Sequence, residues 1–161
     1  MIAAFALLLL VAQSTAVTGW RCPLAYPGRE PEYRWDISLP ASGGVKVIDG
    51  QGRTVQANLV SVDDQQLVFA LNSINWDAKR VVNGRVRPTR YVTGSTARLD
   101  RASGHLDVDN SATDSDGKRL DLAAIDASEA AERARPVNNP MLWMLLRLAA
   151  TPQSGDCTPQ P

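Results

Sequence analysis

Apolar and polar residues alternate strictly through Tyr33-Arg34-Trp35-Asp36-Ile37-Ser38-Leu39, which places Tyr33, Trp35, Ile37 and Leu39 on one face. That pattern predicts a strand with one wet side. Short runs of the same kind follow, each closed by a turn signal. Residues 45–48 precede Asp49-Gly50-Gln51-Gly52, and residues 54–62 precede Asp63-Asp64-Gln65-Gln66. Residues 67–71 then put Leu67, Phe69 and Leu71 on one side. Asn83-Gly84 is the strongest turn signal, because a two-residue type I′ turn needs positive φ at both positions. It joins residues 79–82 to 85–87. A further hairpin links 96–100 to 105–109 through Arg101-Ala102-Ser103-Gly104, with Asp100 accepting backbone N–H groups and Gly104 taking the left-handed conformation. Thr93-Gly94-Ser95-Thr96 reads as a turn, and the last strand is expected over residues 118–125.

Helix signals come at the end. Asp126 with Glu129 three positions on resembles a capping box for an alanine-rich helix to Arg135, and Pro136 stops it. Asn139-Pro140 starts a second helix over residues 141–150. The expected fold is mainly β: an antiparallel meander forming a curved sheet or small barrel of about eight strands, with one or two short C-terminal helices. Residues 151–161 are polar and Pro-rich, a tail that only Cys157 would tether.

The chain opens on an eleven-residue apolar run, Ile2 to Ala12, followed by Gln13-Ser14-Thr15-Ala16. This is the layout of an export signal with cleavage after Ala16, although no Lys or Arg precedes the apolar core. The run is shorter than the roughly 20 residues a membrane span needs. Cleavage leaves 161 − 16 = 145 residues, a single β-rich domain over 17–150 plus the tail. Cys22 and Cys157 are the two cysteines and bracket the domain, so the natural pairing is a disulfide in an oxidising compartment, with two free thiols as the alternative. A periplasmic or secreted location follows. Seventeen basic and seventeen acidic residues balance, which removes any global pull toward nucleic acid.

Charge is uneven locally. Residues 79–101 carry seven basic groups against Asp100, whereas residues 102–132 carry eight carboxylates against Lys118 and Arg119. With a two-residue turn at Asn83-Gly84, Arg80 faces Arg87, and Arg80, Arg85 and Arg87 share a face. Like charges so placed repel, and an anionic ligand would relieve them. Neutralisation by the acidic stretch is the competing reading. Trp35 and Trp76 are candidate aromatic contributors to a ligand site on the sheet face or barrel mouth. The segment Met141-Leu142-Trp143-Met144-Leu145-Leu146-Arg147-Leu148 is apolar nearly all round. It either closes one side of the sheet or docks a partner or membrane surface, with Met141 and Trp143 in contact and Arg147 reaching headgroups.

Other constellations are weaker. Aligning Gly117 with the sixth position of a calcium loop leaves Ala112 and Ala123 where the first and last carboxylates belong, so no metal is expected. His105, the only histidine, has no nucleophile beside it and reads as an exposed strand residue; Ser95 has no base near it in sequence. No catalytic or cofactor motif is present, and no cofactor is expected.

The run Leu99-Asp100-Arg101-Ala102-Ser103-Gly104-His105-Leu106 resembles a hairpin of small exported proteobacterial proteins of unknown function, which often end near a Gly-x-Cys such as Gly155-Asp156-Cys157. The resemblance implies an envelope location. The expectation is a non-enzymatic binding or envelope-associated module for an anionic glycan, a lipid headgroup or a protein partner. The alternative is a protein-interaction or inhibitor module acting through the apolar C-terminal helix.

Overall fold

The computed structural model describes residues 18–82, 84–133 and 140–160. The proposed signal at 1–16, Asn83, the helix stop at Pro136 and the cap at Asn139 lie outside the described residues, as does the side chain of Arg80. The chain is mainly β, a curled antiparallel half-barrel with two short helices near the C-terminus, as the alternation predicted.

Two sheets build it. In the first, β1 (Gly19–Leu24) lies beside β2 (Tyr33–Ser38), followed by β3 (Lys46–Asp49) and β4 (Thr54–Val55). In the second, β5 (Ala57–Val62), β6 (Gln66–Val82), β7 (Arg85–Asp100) and β8 (His105–Thr113) form a meander, with the two-residue β9 (Arg119–Leu120) against β8. The run expected as one strand over 54–62 breaks at Gln56, because β4 belongs to the first sheet and β5 to the second. Both inner faces close over a core of Trp20, Leu24, Ile37, Val47, Leu67, Phe69, Leu99 and Leu106.

The tail does more than hang from Cys157. β10 (Gln153–Asp156) pairs with β8, and β11 (Thr158–Gln160) pairs with β1, so the chain crosses from one sheet to the other at Cys157. Cys157 forms a disulfide with Cys22 across that corner, 135 positions apart in sequence. Two glycines let the strands approach. A Cβ on Gly155 would overlap the carbonyl oxygen of Pro23, and one on Gly104 would come 2.7 Å from the carbonyl oxygen of Cys157. Gly104 also has φ of +77°, and its carbonyl accepts the Cys157 N–H at 2.8 Å.

The predicted turns share one device. Oδ1 of Asp49 accepts the N–H groups of Gln51 and Arg53, Asp63 those of Gln65 and Gln66, and Asp100 those of Ala102 and Ser103. These donors, led by Arg53, Gln66 and Ser103 respectively, hold the three carboxyls below the usual carboxylate range.

The meander differs from the expected series of short hairpins at its centre. Residues 67–71 and 79–82 belong to one seventeen-residue strand, β6, which crosses a register shift between Leu71 and Ile74. Thr93 to Thr96 is not a turn but the middle of the sixteen-residue β7. Small polar residues there hydrogen-bond across the sheet instead of reversing the chain. Ser95 Oγ donates to Asn110 Oδ1 at 2.5 Å, and Asn110 Nδ2 donates to the Thr151 carbonyl at 2.7 Å. Beyond this polar belt a second core gathers Tyr91, Ala112, Leu120, Ile125, Leu142, Trp143 and Leu146.

Two helices cover that core. The strand expected to reach residue 125 ends at Leu120, and α1 (Leu122–Arg133) starts four residues before the expected cap. Asp121 is the cap, its Oδ1 accepting the Ala124 N–H at 2.7 Å. Helix α2 (Pro140–Ala150) begins at the proline, as expected. Among the described residues no helix is long and apolar enough to cross a membrane.

Candidate functional site

The β6–β7 ribbon runs past both cores. Its register places Trp76 opposite Tyr91, Ala78 opposite Thr89, Arg80 opposite Arg87, Val81 opposite Val86 and Val82 opposite Arg85. Directly opposed residues share a face, so Arg85 and Arg87 extend the face on which Tyr91 and Trp76 meet the helices. Lys79, Arg85, Val86, Arg87 and Pro88 are exposed. Gly84 has φ of +73°, the conformation the turn demands.

Nearby carboxylates offset part of the basic charge, but not at this end, and the one bound to Arg90 comes from Asp77, outside the acidic stretch. Asp107 lies opposite Arg98 in register, Asp109 binds Arg119 at 3.0 Å, and Asp77 binds Arg90 at 2.9 Å. The Arg90 guanidinium is raised above its ordinary value, first by that hydrogen bond. Among the described residues no carboxylate forms an ion pair with Lys79, Arg85 or Arg87.

Trp76 sits lower on the same face, about 13 Å along the ribbon from the Arg87 row at the usual rise per residue. Its indole N–H donates to Thr93 Oγ1 at 3.1 Å. Trp35 is elsewhere. It packs on Phe69 in the first core with ring centroids 6.4 Å apart, roughly 30 Å of strand away from Arg87, and so does not join the site as expected. Trp35 instead lines a cleft of about 750 Å³ on the first sheet with Arg21, Arg34 and Arg53. Those arginines are paired: Arg21 with Asp36 at 2.9 Å, Arg34 with Asp36 at 3.8 Å, and Arg53 with Asp49 at 2.7 Å.

Helix α2 presents a different face from the one expected. Trp143 is 1 % exposed, buried in the second core, and Arg147 binds Asp126 at 2.7 Å and also Glu129 of α1. The Glu129 and Asp126 carboxylates raise the Arg147 guanidinium above its ordinary value. Neither residue is turned toward a partner, since burying Trp143 and neutralising Glu129 both favour the inward arrangement. Met141 is exposed as expected, together with Met144 and Leu148.

A groove missed by the sequence reading lies between α2 and the face of the β6–β7 ribbon, floored in part by Thr93 and Ser95. It holds about 480 Å³ and is lined by Val55, Ile74, Trp76, Leu145, Leu148 and Ala149. The alternation of Ile74, Trp76 and Ala78 carried the signal, but it falls between the two runs expected as strands, 67–71 and 79–82. His105 is not chemically idle either. Its Nδ1 lies 2.7 Å from Asp156 Oδ1 and its Nε2 3.4 Å from Asp107 Oδ1. The Asp114 carboxylate caps its own turn by accepting the N–H groups of Asp116 and Lys118.

The fold and site define a disulfide-closed β half-barrel with a helix-covered extension and a basic ribbon end. No protein-family model matches the chain, and no curated protein or solved structure is significantly similar to it.

Proposed function

We propose that this chain is an exported, non-enzymatic binding module that holds an anionic group, a carboxylate or phosphate, at the open end of the β6–β7 ribbon. The observation that carries this reading is the pair Arg85 and Arg87, exposed on one face with no ion-paired carboxylate among the described residues, whereas Arg21, Arg34, Arg53, Arg90, Arg119 and Arg147 each hold one. Guanidinium groups two residues apart on a strand face suit bidentate contact with such groups. The Cys22–Cys157 disulfide supports an oxidising destination.

The test is binding of heparin and of vesicles containing anionic lipid across a salt series. Binding at low ionic strength that fades toward about 0.15 M and above supports the reading. Undetectable binding of both probes at low salt overturns it. For export, the mature protein is expected to begin at Val17, and a retained Met1 would contradict it.

A further inference from the structure

The outer face of α2 is apolar, whereas a helix on a globular surface ordinarily turns polar residues outward. Leu142, Trp143 and Leu146 are buried in the second core, which leaves Met141, Met144, Leu145 and Leu148 as the stripe on the opposite side. Met141, Met144 and Leu148 are exposed, and no polar residue interrupts the stripe. Arg147, the one charged residue of α2, points to the flank and binds Asp126 and Glu129 of α1. Ile74, exposed on β6, continues the apolar surface across the groove beside Leu145 and Leu148.

The helix lies along the ribbon with its start toward the basic end. Just past its last residue, the Thr151 carbonyl accepts from Asn110, which lies opposite Ser95. Trp143, eight positions earlier, shares the second core with Tyr91, four positions nearer the tip than Ser95. About 12 Å of helix thus matches about 13 Å of strand. Arg85 and Arg87 project from the side of the ribbon that α2 covers, since they share the face of Tyr91 and Trp76. An extended arginine is shorter than a helix is thick, about 10 Å. A flat surface resting on the stripe therefore passes just above the two guanidinium groups.

We propose that this side of the protein docks on an anionic lipid bilayer. The α2 stripe sinks about 5–10 Å into the boundary between headgroups and acyl chains, which brings Arg85 and Arg87 level with the lipid phosphates. The proposal rests on the basic-end reading above and names lipid phosphate as its anionic group. Size favours lipid over protein. The outer face of an eleven-residue helix is about 16 Å by 10 Å, far short of the about 800 Å² per partner that a stable protein interface buries. A second copy of this chain meets the same shortfall. A bilayer sets no such minimum, because apolar burial and attraction of cations add to give reversible binding. Asp126 and Glu129, the α1 carboxylates that face α2, are already bound to Arg147, which limits their repulsion from an anionic surface.

Co-sedimentation at low salt with vesicles of phosphatidylcholine alone, and of phosphatidylcholine mixed with phosphatidylglycerol, tests this. The expected result is binding to the mixed vesicles only, with the Met141 and Met144 methyl signals broadened by nitroxide-labelled acyl chains. Met141→Ser combined with Met144→Ser weakens that binding about tenfold or more and leaves heparin binding unchanged. Both side chains are exposed, so the melting temperature stays near that of the parent and a folding defect is told apart from lost docking. The proposal is overturned if the mixed vesicles do not bind, if neutral vesicles bind as strongly, or if the double variant binds like the parent. Heparin binding without vesicle binding leaves the basic-end reading and removes the lipid surface. Binding of neither probe removes both.

Discussion

At the closed end of the β6–β7 ribbon, Leu67 lies opposite Leu99 and Phe69 opposite Ala97, and all four are fully buried; at the open end Val82 lies opposite Arg85, and Arg85, Val86 and Arg87 are exposed. The two ends belong to the same strands and the same antiparallel ladder. Their neighbours differ. The closed end has β5 and β8 on its flanks and the first sheet across from it, whereas among the described residues the last rows of the open end have neither. A two-stranded ribbon is marginal by itself in water, so the open end adds little to stability and its side chains are free to serve a partner. Under the proposed function, stability and binding are divided along one hairpin.

The largest effect is expected from breaking the closure of the base. Replacing Cys22 and Cys157 by Ser releases a loop of 135 positions and is expected to cost up to about 5 kcal/mol, measured by denaturant unfolding. Trp143→Ala is expected to cost about 4 kcal/mol by emptying the second core. Hydrogen exchange should then accelerate in α1 and α2 while β1 to β3 stay protected; equal loosening of both would unite the two cores. Gly155→Ala, which drives a methyl into the Pro23 carbonyl, is expected to cost about 3 kcal/mol, read from the urea midpoint.

His105 gives a smaller, pH-dependent effect. Its hydrogen bond with Asp156 raises its pKa above the ordinary 6.5, with burial opposing and Asp107 assisting. A raised pKa in the folded state means that the stabilisation is complete below the ordinary value and is lost as pH rises through the raised one. The ring is nearly half exposed, so screening leaves well under about 1 kcal/mol. His105→Gln should flatten the difference in Tm between about pH 5 and pH 8 that the parent shows.

Local chemistry made much of this legible from sequence. The Asp-capped turns at Asp49, Asp63 and Asp100 and the two-residue register around Asn83-Gly84 follow from side chains acting within a few residues of themselves. The hairpin at Arg101 to Gly104 and the Gly155-Asp156-Cys157 run meet in space, since Gly104 and His105 lie against Cys157 and Asp156. What stayed hidden depends on distant partners. Thr93 to Thr96 looks like a turn until Asn110 and Ser111 are beside it, and Asp126 with Glu129 looks like a cap until Arg147 arrives from α2. Trp143 and Arg147 could not be sided on a helix that is apolar all round. The groove depends on where β5 leaves β6, which is a tertiary event.

The central claim is that the open end serves binding and not stability, and the double variant Arg85→Glu with Arg87→Glu tests it most directly. Tm and low-salt heparin binding should be measured on the same preparation. The account predicts a Tm within about 2 °C of the parent and binding lost altogether. A large fall in Tm, or heparin binding that survives both substitutions, would contradict it.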